Sequence, residues 1–193
     1  MTDEELLIDA GRGNEAAFLE LYERHRDAVF RFAYRMLGAT ELAEDVAHDC
    51  FLALMQHPNR FDPTRAGLRT YLFAAARNLA MKHFRRTRHD AEFDEFLDEP
   101  LSTGDGQPLI KLLDDEVSLL VQRAVAQLPL VQREALILFE YEEFSLAAIS
   151  EVVGADVGTV KSRLYRARQG LKRSLAGYFA DTKERMALEE VCK

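Results

Sequence analysis

Apolar residues recur along this chain at intervals of three and four, and nowhere does a strict apolar/polar alternation persist, so the pattern predicts helices and no sheet. Thr2 and Glu5 have the spacing of a capping box on a short first helix, which the stretch from Gly11 to Gly13 should end. Asn14 can cap a long second helix with Phe18, Leu21, Tyr22, Val29, Phe32 and Met36 inward, closed by Gly38. Thr40 is expected to cap a third helix, to about Gln56, with Leu42, Val46, Cys50, Ala53 and Leu54 inward. After the loop HPNRFDPTRAG a fourth helix spans about Leu68 to Arg86, its core stripe formed by Leu68, Leu72, Ala75 and Leu79. The next stretch has the composition of a linker: nine carboxylates fall between Glu92 and Glu116, and the turn-rich STGDGQP occupies 102–108. Helical periodicity resumes near Lys111 with Val117, Leu120, Val121, Ala124 and Leu128, then Leu136, Ile137 and Phe139 behind Pro129 at a helix start. The expected fold is all-α: a helical domain over 1–88, a flexible acidic linker over 89–110, a smaller helical domain over 111–176 and a tail over 177–193.

The stretch from Ser145 to Leu175 is the most specific of the chain. Ser145 can cap a short helix through Leu146, Ile149 and Val152, Gly154 stands where a helix end needs a left-handed residue, and Asp156 can cap a second helix. On that second helix Val160, Leu164, Ala167, Leu171 and Leu175 form one apolar stripe, and Thr159, Ser162, Arg166, Gln169 and Arg173 lie opposite. One face packs and the other is free to enter a groove. Between Gly158 and Leu175 stand six basic residues (Lys161, Arg163, Arg166, Arg168, Lys172, Arg173) and no acidic one, whereas a merely solvated helix mixes both signs. This is the sequence form of a DNA-binding helix-turn-helix.

A net charge of −8 argues against a nucleic-acid binder until the charges are placed. Residues 1–50 sum to −7, 60–90 to +6, 91–116 to −8 and 158–175 to +6. Two basic blocks in an acidic chain predict weak non-specific affinity for DNA, because the acidic parts oppose counterion release. The two cysteines, Cys50 and Cys192, make no disulfide framework and fit a reducing compartment. His48 and Cys50 are two apart and point in different directions on a helix, so no metal site is expected there. No cluster suggests a nucleophile or a phosphate loop, and neither catalysis nor a cofactor is expected. No apolar run reaches membrane-spanning length and MTDEELLIDA is too acidic for a signal sequence, which predicts a cytoplasmic protein.

Two further constellations carry candidate chemistry. Tyr71, Asn78, Lys82 and Arg85 share one face of the fourth helix, a mixture of ring, amide and cations that fits single-stranded nucleic acid, and Phe61 in the preceding loop adds a surface for an unstacked base. On spacing alone, half-buried core positions for Tyr71 and Phe61 are the simpler reading. Asp45 and Asp49 lie four apart, beside Leu52, and repel each other by a few tenths of a kcal/mol on an isolated helix. A basic partner turns that cost into a gain; a plain solvated face is the alternative.

Four strings in order carry a resemblance over about Glu15 to Leu175: AEDVAHDCFLAL at 43–54, YLFAAARNLAMKHFRR at 71–86, LPLVQREALILFEYEEFSLAAIS at 128–150 and VGTVKSRLYRARQGLK at 157–172. The chain resembles the extracytoplasmic-function sigma factors, two-domain members of the bacterial sigma-70 family. The resemblance implies that the first string docks on core RNA polymerase through Asp45, Asp49 and Leu52. It implies that the second, with its preceding loop, melts and reads the minus-10 promoter element through Phe61, Tyr71 and Asn78, with Arg77, Lys82, Arg85 and Arg86 on the backbone. The last string would read the minus-35 element through Thr159, Lys161, Ser162, Arg163 and Arg166. Core RNA polymerase and promoter DNA are then the partners, an anti-sigma factor is a candidate inhibitor, and the free chain is expected to be a monomer without membrane insertion. A linker of some 22 residues spans about 70 Å when extended, enough for two DNA turns between the elements. The chain departs from the family where Tyr71 replaces a common Trp and where His48 and Cys50 replace commoner polar residues. An ordinary helix-turn-helix repressor or activator, binding duplex DNA alone, would share the C-terminal signal but leave the 71–86 helix unexplained. An RNA-binding adaptor is opposed by the acidic first fifty residues.

Overall fold

A computed structural model describes residues 1–91 and 112–191; the expected linker from residue 92 onward lies outside the described residues. Among the described residues every regular element is helical. Helix α1 (Asp3–Gly11) opens with the expected capping box, Glu5 N–H donating to Thr2 Oγ1 at 3.2 Å and Thr2 N–H to Glu5 Oε2 at 2.8 Å. Helix α2 (Glu15–Leu37) is capped by Asn14, whose Oδ1 accepts from Ala17 N–H, and stops at Gly38 in the left-handed conformation, φ 73°. Helix α3 (Thr40–Gln56) corrects one expectation: Thr40 is already helical, and the cap position belongs to Ala39, which is extended and makes no side-chain cap bond. Its inward residues are Ala43, Val46, Cys50, Phe51 and Leu54, while Leu42 is half-buried and Ala53 exposed. The stripe turns toward Phe51 because that ring packs edge-on against Tyr22 of α2, centroids 4.9 Å apart.

Helix α4 (Leu68–Ala91) follows a short 3-10 turn at Pro58–Arg60. It buries Leu68, Leu72, Phe73, Ala76 and Ala80, and leaves the expected Ala75 and Leu79 only half-buried. The cause is that α4 packs on two sides: on α2 and α3, and on helix α7 (Leu146–Val153) from the far end of the chain. Phe73 sits at this junction, its ring 5.3 Å from Phe32 and 4.9 Å from Phe144.

The C-terminal helices are α5 (Leu112–Ala126), α6 (Leu130–Leu136) with Pro129 at its start, α7, and α8 (Val157–Val191). A π-helical turn, Ile137–Tyr141, prolongs α6; Glu142 N–H reaches back five residues to the Ile137 carbonyl at 3.1 Å. Helix α6 packs against α7 and α8, and α5 against α8; Gly170 of α8 makes room for the turn that follows α5, since a Cβ there would lie 2.8 Å from Leu128 Cδ2. Val117, expected inward, is exposed, whereas the expected Ala124 and Leu128 are buried, with Val125 beside them. Helix α2 also touches α5, α6 and the π turn, so buried residues of both halves join in one apolar cluster.

Candidate nucleic-acid interface

The turn between α7 and α8 is built as its sequence requires. Ser145 Oγ accepts from Ala148 N–H at 3.2 Å, Gly154 ends α7 at φ 66°, and Asp156 accepts from Thr159 through the backbone N–H at 2.8 Å and the hydroxyl at 2.6 Å. The two Thr159 bonds favour the ionised carboxylate and hold Asp156 below the usual carboxylate range. Ser150 Oγ donates to the Ala155 carbonyl at 2.6 Å and ties the turn shut. Nothing crowds a Cβ at Gly154, so Gly154→Ala carries only the backbone cost of a left-handed L-residue. Urea unfolding should show a loss of about 1–2 kcal/mol.

From this turn α8 projects as expected. Val160, Leu164 and Ala167 are buried, Leu171 is half-buried, and Lys161, Ser162 and Arg166 are exposed. Thr159, Ser162, Arg163 and Arg166 line one shallow hollow with Val131 and Gln132 of α6. Arg163 is the exception within this face, because its guanidinium turns inward and donates to Glu134 Oε1 at 3.1 Å.

On α4 the candidates divide into two hollows. Asn78, Lys82, Arg85 and Arg86 line an exposed, cationic one. Phe61 and Tyr71 meet edge-on, centroids 5.6 Å apart, in a hollow of about 550 Å³ that also carries Arg60 and Arg65. Both rings pack partly on the core and present their remaining surface to this space, so they are half-buried residues that also line a hollow. Burial raises the Tyr71 phenol above its ordinary value. Arg77 belongs to neither hollow; its Nε and NH2 donate to Glu134 at 2.8 and 3.4 Å.

Asp45 and Asp49 are exposed on α3, and Leu52 is half-buried beside them. His48 points to solvent, while Cys50 is buried, its Sγ 3.4 Å from the Leu72 carbonyl and its thiol pushed up to about 12 by burial. Among the described residues no group of three His, Cys, Asp or Glu side chains could hold a metal ion, and no helix is long and apolar enough to cross a membrane.

Three buried charged residues went unforeseen: Arg133, Glu134 and Glu142. Arg133 donates through NH1 to the Met36 carbonyl at 2.7 Å and through NH2 to the carbonyls of Ala126 and Leu128; burial lowers its pKa. Glu142 accepts from Arg35 NH1 at 3.3 Å and lies 3.8 Å from Arg69 NH2. Burial pushes its carboxyl up against the opposing pull of Arg35, Arg31 and Arg69. The one available sequence signal was that Arg133 and Glu134 stand flush with apolar positions in LVQREALIL.

A sigma-70 region 2 model matches residues 21–89 and a sigma-70 region 4 model matches 118–171, so the two candidate faces fall in two different regions of one protein class. SigL of Mycobacterium tuberculosis, an ECF RNA polymerase sigma factor, is 32% identical over 87% of this chain and 94% of its own length. The ECF sigma factor SigW of Bacillus subtilis is 29% identical over 85% and 91%. Among solved structures, RpoE of Bartonella quintana bound to the anti-sigma factor NepR aligns with a TM-score of 0.62 at 25% identity, covering 78% of this chain and 91% of that one. CnrH with the cytosolic domain of CnrY shares the fold, with a TM-score of 0.68, over 91% and 97%. The chain belongs to the extracytoplasmic-function sigma factors of the sigma-70 family.

Proposed function

We propose that this sigma factor brings core RNA polymerase to its promoters with α8 in the major groove of the minus-35 element and α4 on the melted minus-10 element. The observation that carries the reading is the pairing, in one chain, of two faces suited to two states of DNA. A capped helix with an exposed cationic face suits a duplex groove, and a ring-lined hollow beside a cationic one suits separated bases. Lys161, Ser162 and Arg166, with Thr159 at the helix start, form the duplex face. Phe61 and Tyr71 hold an unstacked base, Asn78 reads beside them, and Lys82, Arg85 and Arg86 follow the backbone. Arg77 and Arg163 join these faces once released from Glu134. Asp45, Asp49 and Leu52 form the docking surface for core polymerase. The work is recruitment and local melting rather than catalysis, it needs no cofactor, and it takes place in the cytoplasm. An anti-sigma factor is a further partner, as NepR is for the related RpoE.

Run-off transcription with purified core polymerase on a library of promoter fragments tests the reading. Starts that depend on this protein and share two spaced elements are expected; no new starts, with tight duplex binding by the protein alone, would favour a repressor or activator. In the same assay Arg166→Ala should cost about 1–3 kcal/mol at particular minus-35 base pairs. An equal loss on every sequence would assign Arg166 to the phosphates.

A further inference from the structure

A cleft of about 500 Å³ lies between α2, α5 and the π-helical turn, and it shares no residue with the faces assigned to DNA or to core polymerase. Val121 and Val125 of α5 give it an apolar wall, Tyr34 of α2 and Tyr141 of the turn bring two rings, and Arg31 and Arg35 bring two cations; no acidic side chain lines it. The arginines differ in what holds them. Arg35 is fixed before any ligand arrives, its guanidinium 4.4 Å from the Tyr141 ring centroid and its NH1 donating to the buried Glu142 at 3.3 Å. Arg31 is exposed and, among the described residues, forms no ion pair. Glu142 is itself shared with Arg69 at 3.8 Å, so positive charge at this cleft exceeds what the chain neutralises.

We propose that this cleft is a binding site for a small aromatic carboxylate, with the carboxylate on Arg31 and the rings among Tyr34, Val121 and Val125. The size is that of a small-molecule site, and so is the composition: mostly apolar walls with a few polar groups that fix orientation. Two rings and two valines select a flat apolar body. Unneutralised guanidinium charge selects an anion, and a carboxylate matches its planar fork of donors. The prior anchoring of Arg35 on Tyr141 and Glu142 lowers the ordering cost of binding. The walls come from both regions of the chain that the family models match, α2 from the first and α5 from the second, so an occupant touches both and acts as an effector rather than a substrate. The inference does not depend on the DNA assignments proposed above.

The test uses the full-length chain and 2-naphthoate as the probe, followed by isothermal titration calorimetry. Saturable binding at a single site is expected, with a Kd of about 1 mM or below for a ligand of this size. The neutral 2-naphthamide, which keeps the rings and loses the charge, should bind about tenfold more weakly. Arg31→Gln should weaken naphthoate by about the same factor and leave the amide nearly unchanged, so that the variant no longer distinguishes the two probes. Val121→Trp fills the cleft and should weaken both probes about tenfold or more. If that variant does not fold, Ser118→Trp, at an exposed position on the same wall, serves in its place. Equal affinity of the wild type for both probes would overturn the choice of an anion. Naphthoate binding that ignores both the Arg31 and the cleft-filling substitutions would overturn the site. Failure of naphthoate to saturate would do the same and leave the cleft to an apolar segment of a protein partner.

Discussion

Asp45→Arg combined with Asp49→Arg should abolish binding of core RNA polymerase. The two carboxylates stand one helical turn apart on the exposed side of α3, and among the described residues no cation pairs with either. Two uncompensated negative charges so placed are most useful to a basic partner. Reversing both replaces attraction by repulsion, and a loss of about 3 kcal/mol or more, a hundredfold in affinity, is expected. The fold should tolerate the change, because exposed substitutions away from caps and pairs stay within about 0.5 kcal/mol. Titration of labelled core polymerase, with circular dichroism as the folding control, reads both quantities. A folded double variant that binds with wild-type affinity would remove α3 from the docking surface.

The features legible in the sequence are the ones a few neighbouring residues decide. Thr2, Asn14, Ser145 and Asp156 cap their helices because a short polar side chain ahead of a helix has a donor waiting two or three residues on. Gly38 and Gly154 end theirs because only they take the left-handed conformation without cost. Thr40 misled because a capping residue type one position inside a helix looks the same in sequence as one at its edge. The apolar stripe of α4 was misplaced for a different reason. A single stripe assumes a single partner, and α4 has partners on two sides, so Phe73, Ala76 and Ala80 are buried where Ala75 and Leu79 were expected.

The candidate faces divide along the same line. The exposure of Lys161, Ser162 and Arg166, and the grouping of Asn78, Lys82 and Arg85, follow from helical periodicity, whereas Tyr71, placed on the same face, lines the other hollow, and Arg86 entered through the resemblance. The engagement of Arg77 and Arg163 by Glu134 does not. Those bonds span 57 and 29 residues, and the Arg35–Glu142 bond spans 107, so they depend on how helices from distant parts of the chain dock. A helical wheel assigns a residue to a face; it does not say what stands opposite that face.

Phe73→Ala is expected to be the most damaging single truncation considered. The ring is fully buried, tilted against Phe32 of α2 on one side and Phe144 of the C-terminal half on the other, and Arg69 lies 5.4 Å from its centroid. Removing it forfeits the transfer energy of an aromatic side chain and leaves a cavity that two converging helices cannot both fill, a loss of about 3–5 kcal/mol. Against a usual total of roughly 5–15 kcal/mol, that is a large fraction of what keeps the chain folded. Thermal unfolding should move down by on the order of 10 °C. Phe144→Ala separates the two contributions, since it removes the ring on the C-terminal side while leaving Phe73 packed on Phe32. It should cost less in overall stability, because Phe73 keeps its contact with Phe32. If Phe73→Ala cost less than about 1 kcal/mol, the junction of α2, α4 and α7 would not be packed as the ring geometry indicates.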